Sequence, residues 1–490
     1  MTVAEATPEL DFPEEASRDD RAFLGHPKGL GYLSFVEGCE RFSYYAMQTL
    51  LVLYMVKYLL LPENVGKVLG LSWLRGWHYA GLDGQPLASA IFGDYTSLVY
   101  LTPILGGVIA DRWLGRKATL IAGAVIMSLG HFLMAFEGLF LFALISLVVG
   151  VGLFKGNIAS QVGELYKPND LRRAMAFQIF YIAINVSVIA APLISGTLGE
   201  EVGWHYGFGS AGVVMVISLL AYLKAQPWLP ADNRAPKNSE KSPRAPLTKS
   251  DWPRLGALAV LVPVLAIAMM TNQEIFNAYL VWADDRFNLN IPDWLAAIQW
   301  HVNFSMFGHL IDWTIKFPDP LPTSWMIAID ATLSFSMLVA VAAFWKWYSA
   351  RTGREPDELG KMIIGSVFSI CGGMCLVLAA ATAGGGKIGL FWPVMFHLFN
   401  SIGFAHIMPV SLALFTKIAP RSLNATVVGI YYLAFFGANK IVGVVGGWYS
   451  TMDTVSFWLT HVGAAAFGLI AFAAFKIALG KTLAGEPGPA

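Results

Sequence analysis

"VEGCERFSYYAMQTLLVLYM", residues 36–55, is long and apolar enough to cross a bilayer, yet it opens with Glu37, Glu40 and Arg41. A charged side chain near the middle of a membrane helix costs about 2.5–3.5 kcal/mol on insertion scales, so three on one helix need partners or water. Helical spacings of three and four place Glu37, Arg41, Tyr44 and Gln48 along one stripe. The sequence leaves two roles open for that stripe. It lines a wet cavity, or it is a neutralised Glu/Arg lock between helices near the cytoplasmic end.

The remainder of the chain sets the class. Of 490 residues, 56% are hydrophobic and 13% charged, with a mean hydropathy of +0.56, too few polar residues to cover a soluble surface. The 33 basic residues balance 33 acidic ones and form no long basic run, which excludes nucleic acid as a partner. Met1 to His26 is acidic and polar, unlike a cleavable signal with its basic start and apolar centre. Cys39, Cys371 and Cys375 fall in apolar runs and read as small hydrophobes, with no disulfide framework. His301, His309, His397 and His406 show neither His-x-x-x-His nor Glu-x-x-His spacing, so no metal site, cofactor or enzymatic centre is expected.

About twelve apolar runs are long enough to span, near residues 31–60, 87–110, 117–137, 139–160, 173–196, 205–225, 255–283, 323–347, 360–382, 388–415, 425–448 and 455–479. Arg112, Arg116, Lys117, Lys167, Arg172, Arg173, Arg351, Arg354, Lys361, Lys417 and Arg421 fall in alternate loops, while Glu137, Glu200, Glu201 and Asp453 fall in the others. By the positive-inside rule both termini are cytoplasmic. The Pro-rich, charged stretch 230–251 has no apolar periodicity and reads as a flexible linker dividing six helices from six. "GGVIADRWLGRK" (106–117) is echoed by "SARTGREP" (349–356), as in a duplicated transporter with its site between halves. The predicted organisation is a cytoplasmic tail (1–26), a six-helix bundle (27–226), a linker (227–254), a second bundle (255–480) and a tail (481–490). Residues 61–86 and 287–322 are longer non-cytoplasmic loops to which the sequence assigns no chemistry.

"EGCERFSYY" (37–45) fits a Glu-x-x-Glu-Arg-Phe-x-Tyr-Tyr signature and resembles the proton-coupled oligopeptide transporters, a branch of the major facilitator superfamily. The resemblance continues through "VYLTPILGGVIADRWLGRK" (99–117), "GLFKGN" (152–157), "FYIAINVSVIAAP" (180–192), "LVWADDRF" (280–287), "PTSWMIAID" (322–330) and "MPVSLALFTKIAP" (408–420). It implies an all-α membrane protein in which two six-helix bundles alternate access and inward proton movement drives uptake of di- and tripeptides. It implies proton coupling at Glu37, Glu40 and Arg41, and a pocket of Arg41, Tyr44, Tyr45, Tyr100, Lys155 and Asn185; Glu274, an acid inside a span, joins the expected proton-coupling residues, and Asn277, Asp330, Phe404 and His406 join the expected pocket. Arg41 and Lys155 would hold the peptide carboxylate, although Lys155 also has the alternative of snorkelling to the cytoplasmic face. The implied partners are protons, a small peptide or peptide-like substrate and membrane lipid, for a monomer in a bacterial inner membrane.

The departures concentrate in the second half. Phe404 stands where the family has a glutamate for the peptide amino group, Asp330 where it has Asn, Gln48 where it has a second Arg, and Gln273-Glu274 where it has Glu-Gln. Asp330, with Glu274, is the replacement ammonium site, or else Asp330 pairs with Lys440 or His406 to hold helices together. His406 titrates near neutrality or is a hydrogen-bonded packing residue. The altered site also leaves open a non-standard peptide, an amino-acid conjugate or another organic anion as substrate, and a non-transporting peptide sensor.

Overall fold

The computed structural model describes residues 20–167, 170–230, 251–306, 309–420 and 423–483. Most of the predicted N-terminal tail, the centre of the linker, Arg421 and residues 484–490 lie outside the described residues.

Apolar runs become helices because a backbone in a bilayer has no water to bond and must satisfy its own N–H and C=O groups. The long helices are α1 (Lys28–Tyr54), α2 (Gly84–Ile109), α3 (Arg116–Leu133), α4 (Phe140–Glu164), α5 (Arg172–Ala191), α6 (Trp204–Ala225), α7 (Asp251–Ala268), α8 (Met270–Glu274), α9 (Ala278–Arg286), α10 (Trp325–Thr352), α11 (Glu358–Ala383), α12 (Phe391–Ile418), α13 (Asn424–Gly447) and α14 (Thr454–Leu483). Since α7, α8 and α9 are pieces of one broken rod, the described residues form twelve rods, as the sequence predicts. Nine are long and apolar enough to span by length and composition alone. The other three fall short for chemical reasons: α1 carries Glu37, Glu40 and Arg41, α2 is diluted by Asp94, glycines and hydroxyls, and α3 is short and opens on Arg116 and Lys117.

The 287–322 loop departs from an all-helical chain. It folds an antiparallel hairpin of β1 (Gln299–Met306) and β2 (His309–Lys316), in register from Gln299 opposite Lys316 to Met306 opposite His309.

The described chain divides into two compact units. One takes the residues up to Tyr45, Leu98–Ala190 and the stretch from Phe208 to 230; the other takes Ala46–Ser97, Ala191–Gly207 and the described residues from 251 onward. In the first, α3 packs along α4. In the second, α11 packs against α12 and α14, α10 against α12, and α7 against α13 and α14. The break in the α7–α9 rod falls at Ile275–Asn277, where Asn277 has φ −122° and ψ −114°, outside the helical region. There the Glu274 carboxylate turns inward, Oε1 accepting the Ala278 amide hydrogen at 3.1 Å and so filling an orphan donor of the new helix start.

Candidate functional site

In the first unit α1 carries the predicted charge cluster, and it is buried: Glu37 is 5% exposed, Glu40 0% and Arg41 6%. Arg41 Nε lies 3.1 Å from Glu37 Oε1, one helical turn away, and Nη2 lies 2.5 Å from Glu40 Oε2. Half-buried Lys155, on α4, sets its ammonium 4.9 Å from the Tyr100 ring centre and 5.6 Å from that of Tyr44. Arg41 Cζ stands 5.3 Å from the same Tyr44 ring, so Tyr44 contacts both cations through its π-face. Two carboxylates and two cations sum to zero, the balance that burial demands. The geometry leaves Glu37 Oε2, both Glu40 oxygens, and Arg41 Nε and Nη2 without hydrogen bonds. Such a cluster can take a proton on an acid, which loosens the ion pair and frees Arg41 for an anion.

Tyr45 packs edge-on against Tyr44, ring centres 5.1 Å apart. The first unit therefore gathers Glu37, Glu40, Arg41, Tyr44, Tyr45, Tyr100 and Lys155. Asn185 on α5 is half-buried and donates to the Tyr181 carbonyl of its own helix at 2.8 Å.

In the second unit Asp330 on α10 meets His397 on α12, Oδ1 to Nδ1 at 2.8 Å, and His397 Nε2 meets the Tyr279 hydroxyl of α9 at 2.7 Å. The partners offered for Asp330 by sequence, Lys440 and His406, are elsewhere. Lys440 ion-pairs with Asp94 of α2, which also takes His78 Nε2 at 2.6 Å and the Tyr79 hydroxyl at 3.0 Å. His406 holds the Ile402 carbonyl through Nδ1 at 2.8 Å and accepts from Trp345 Nε1 at 3.0 Å, a complete set for a neutral ring. It lines a 710 Å³ cavity with Trp345, Lys346 and Lys361. Phe404 is half-buried on α12. Asn277 is fully buried: its Nδ2 donates to the Val442 carbonyl at 3.1 Å and its Oδ1 accepts from Ser89 Oγ at 2.9 Å.

Ties in the second unit also join ends of the first six rods to later ones. Lys57 pairs with Asp284 at 2.8 Å, and Glu200 accepts the Thr323 and Ser324 amides, each at 2.8 Å, at the start of α10. The sequence reading gave no site role to His397, Tyr279, Asp94 or Glu200, because it picked out site residues by motif. Ionisable residues inside apolar runs, regardless of motif, were the signal that reaches His397 and Asp94.

Twelve helical rods among the described residues, nine of them long and apolar enough to span a membrane, and a buried, charge-balanced group of acids and cations in the first unit fit a transporter of the major facilitator fold, not an enzyme. A family model described as "POT family" matches residues 117–248. The chain is 29% identical to the peptide transporter YePEPT of Yersinia enterocolitica over 476 residues, covering 87% of this chain and 89% of that protein. It is 28% identical to a di-/tripeptide transporter of Lactococcus lactis over 465 residues, covering 86% and 89%. A crystal structure of a peptide transporter POT in complex with sulfate superposes with a TM-score of 0.78 at 26% identity, covering 96% of this chain and 98% of that one. The chain is similar to POT-family peptide transporters and is a multi-pass membrane transporter.

Proposed function

We propose that this chain is a proton-coupled symporter that imports di- and tripeptides by alternating access, as a monomer in a bacterial inner membrane. Two bundles, residues 27–226 and 255–480, would rock about a central site with both termini in the cytoplasm. The observation that carries the reading is the buried, neutral group of Glu37, Glu40, Arg41 and Lys155 with its unbonded carboxylate oxygens and guanidinium nitrogens. Arg41 and Lys155 suit a peptide carboxylate, and Tyr44, Tyr45, Tyr100 and Asn185 suit its walls. A proton on Glu37 or Glu40 releases Arg41 toward the substrate; loss of that proton restores the ion pair and discharges it. In the second half Asp330, held by His397, takes the substrate ammonium, with Asn277, Phe404 and His406 as further second-half residues of the substrate path.

The test is accumulation of dialanine in proteoliposomes. Uptake should follow an inward proton gradient and stop when the gradient is collapsed, and Glu37→Gln or Glu40→Gln should abolish uphill uptake while sparing some exchange. Equal accumulation without a gradient would remove the reading. One observation favours a second substrate class: with Phe404 at the usual acid's position and Asp330 already engaged by His397, a modified peptide or amino-acid conjugate is also accommodated.

A further inference from the structure

His461 lies on α14 with no exposed surface. Its Nδ1 stands 3.0 Å from the carbonyl oxygen of Phe457. A carbonyl only accepts, so Nδ1 carries the hydrogen, and in the neutral ring Nε2 is a bare acceptor. What Nε2 faces, 3.4 Å away, is Oε2 of Glu274, also without exposed surface. An ionised carboxylate and a bare ring nitrogen present lone pairs to each other, and both atoms are buried without a hydrogen bond. A bridging water needs the two groups roughly 5 Å apart, so none fits between. One added proton, on Oε2 or on Nε2, turns the contact attractive and makes the pair neutral.

The surroundings supply no other balance. The rod break offers Glu274 Oε1 the Ala278 amide hydrogen, and the neighbouring Asn277 side-chain amide, which donates to Val442 and accepts from Ser89, also hydrogen-bonds the Glu274 carboxylate; both are neutral groups. Thr271 of α8 donates to the His461 carbonyl at 3.3 Å, and α14 adds the rings of Phe457 and Trp458. On α13, Gly446 admits the group: a Cβ there would lie 2.7 Å from Glu274 Oε1. Among the described residues no lysine or arginine pairs with Glu274 or His461. Tyr279, the next titratable group on α9, gives its hydroxyl to His397.

The Asp330 set differs in its proton count. There the Tyr279 hydroxyl donates to His397 Nε2 and Nδ1 donates to Asp330 Oδ1, so both ring nitrogens and the hydroxyl are satisfied without an added proton. One carboxylate–histidine pair is complete as an anion; the other is complete only with a proton.

We propose that Glu274 and His461 hold one proton between them as a buried proton-binding site of the second half, His461 on the last helix being its second member. This rests on the proton-coupled reading above. On release the proton goes to water, its bonding electrons staying on Oε2 or Nε2, and no other bond changes.

The test measures the proton-to-dialanine ratio in proteoliposomes, from the proton gradient at which dialanine flux reverses. In Glu274→Gln an amide N–H donates to Nε2 and imitates the protonated pair; in His461→Gln the ring is lost. Each should lower the ratio by one and flatten the pH dependence of uptake, and the double variant should do no more than either. A wild type indifferent to the gradient would sink the proton-coupled reading itself. A proton-driven wild type with an unchanged ratio in His461→Gln, or additive effects in the double variant, would overturn only the present inference. Should His461→Gln not fold, nitrogen NMR of histidine-labelled wild-type protein decides: His461 must appear either as an imidazolium or as a neutral ring whose Nε2 accepts a hydrogen bond, and a neutral ring with a bare Nε2 refutes the shared proton.

Discussion

Asp330 and His397 share a 2.8 Å hydrogen bond between α10 and α12, and Tyr279 closes the far side of the imidazole at 2.7 Å. His397 and Tyr279 are fully buried, while the Asp330 side chain keeps 10% of its surface exposed. The imidazole thus orients an anion whose second oxygen takes no protein partner among the described residues. Asp330→Asn keeps an oxygen for His397 and removes the charge. It should lower affinity for free-amine dipeptides about tenfold or more, or about 1.4 kcal/mol, and leave N-acetylated ones unchanged. Competition binding on purified protein measures both, and equal losses would mean that Asp330 only holds the two helices together.

Arg41 and Lys155 contact one tyrosine ring, Tyr44, from different helices. If they form the carboxylate end of the pocket, Arg41→Ala or Lys155→Ala should weaken dipeptide binding by a few kcal/mol, because the remaining charges lose their balance. The decisive comparison is a dipeptide against its C-terminal amide. Wild-type protein that binds both alike would confine the cations to a gating role.

The rods and the first-half cluster were legible because both rest on local rules: apolar length sets a span, and spacing of three and four puts Glu37, Arg41 and Tyr44 on one stripe. The second half was less legible because its pairings are long-range. Nothing near Asp330 in the chain points to His397, sixty-seven residues on, and nothing near Glu274 points to His461. The break at Ile275–Asn277 is also silent in the sequence, since Asn277 is fixed there by Val442 and Ser89 rather than by any local turn signal. The β1–β2 hairpin went unread because its loop sits beyond the apolar pattern that sets the rods.

Gly106 of α2 and Gly152 of α4 mark a close approach of two helices in the first unit. A Cβ at Gly106 would lie 1.9 Å from the Gly152 carbonyl oxygen, and one at Gly152 would lie 2.7 Å from Thr102 Cβ. Thr102 Oγ1 donates to the Val148 carbonyl at 3.0 Å, pinning the helices together there. Gly106→Ala must push backbone from backbone, at a cost of about 3 kcal/mol or more. Gly107 meets nothing within 4 Å, so Gly107→Ala should be neutral or slightly stabilising. Thermal midpoints and yields of the two variants in detergent check this, and equal behaviour would refute the close packing.

Asp357 gives a pH-dependent contribution outside the membrane. It caps α11, Oδ1 accepting the Gly360 amide hydrogen at 2.9 Å, and takes Lys476 Nζ of α14 at 2.6 Å. Burial pushes its carboxyl up, but the Lys476 ammonium and the Gly360 N–H outweigh that and hold it below the ordinary value. A lowered folded-state value means stability present above the unfolded value, about 3.9, and lost as pH falls through the folded one. Half of the side chain is exposed, so solvent screening keeps the ion pair to a few tenths of a kcal/mol, against about 1 kcal/mol for the cap. Asp357→Asn keeps an oxygen for the cap and should cost only the smaller part; Asp357→Ala should cost both. Thermal midpoints should show the Asn variant below wild type near neutral pH, with the gap closing as the pH falls below about 4. A gap that stays constant across that range would mean that the Asp357 charge does not stabilise the fold.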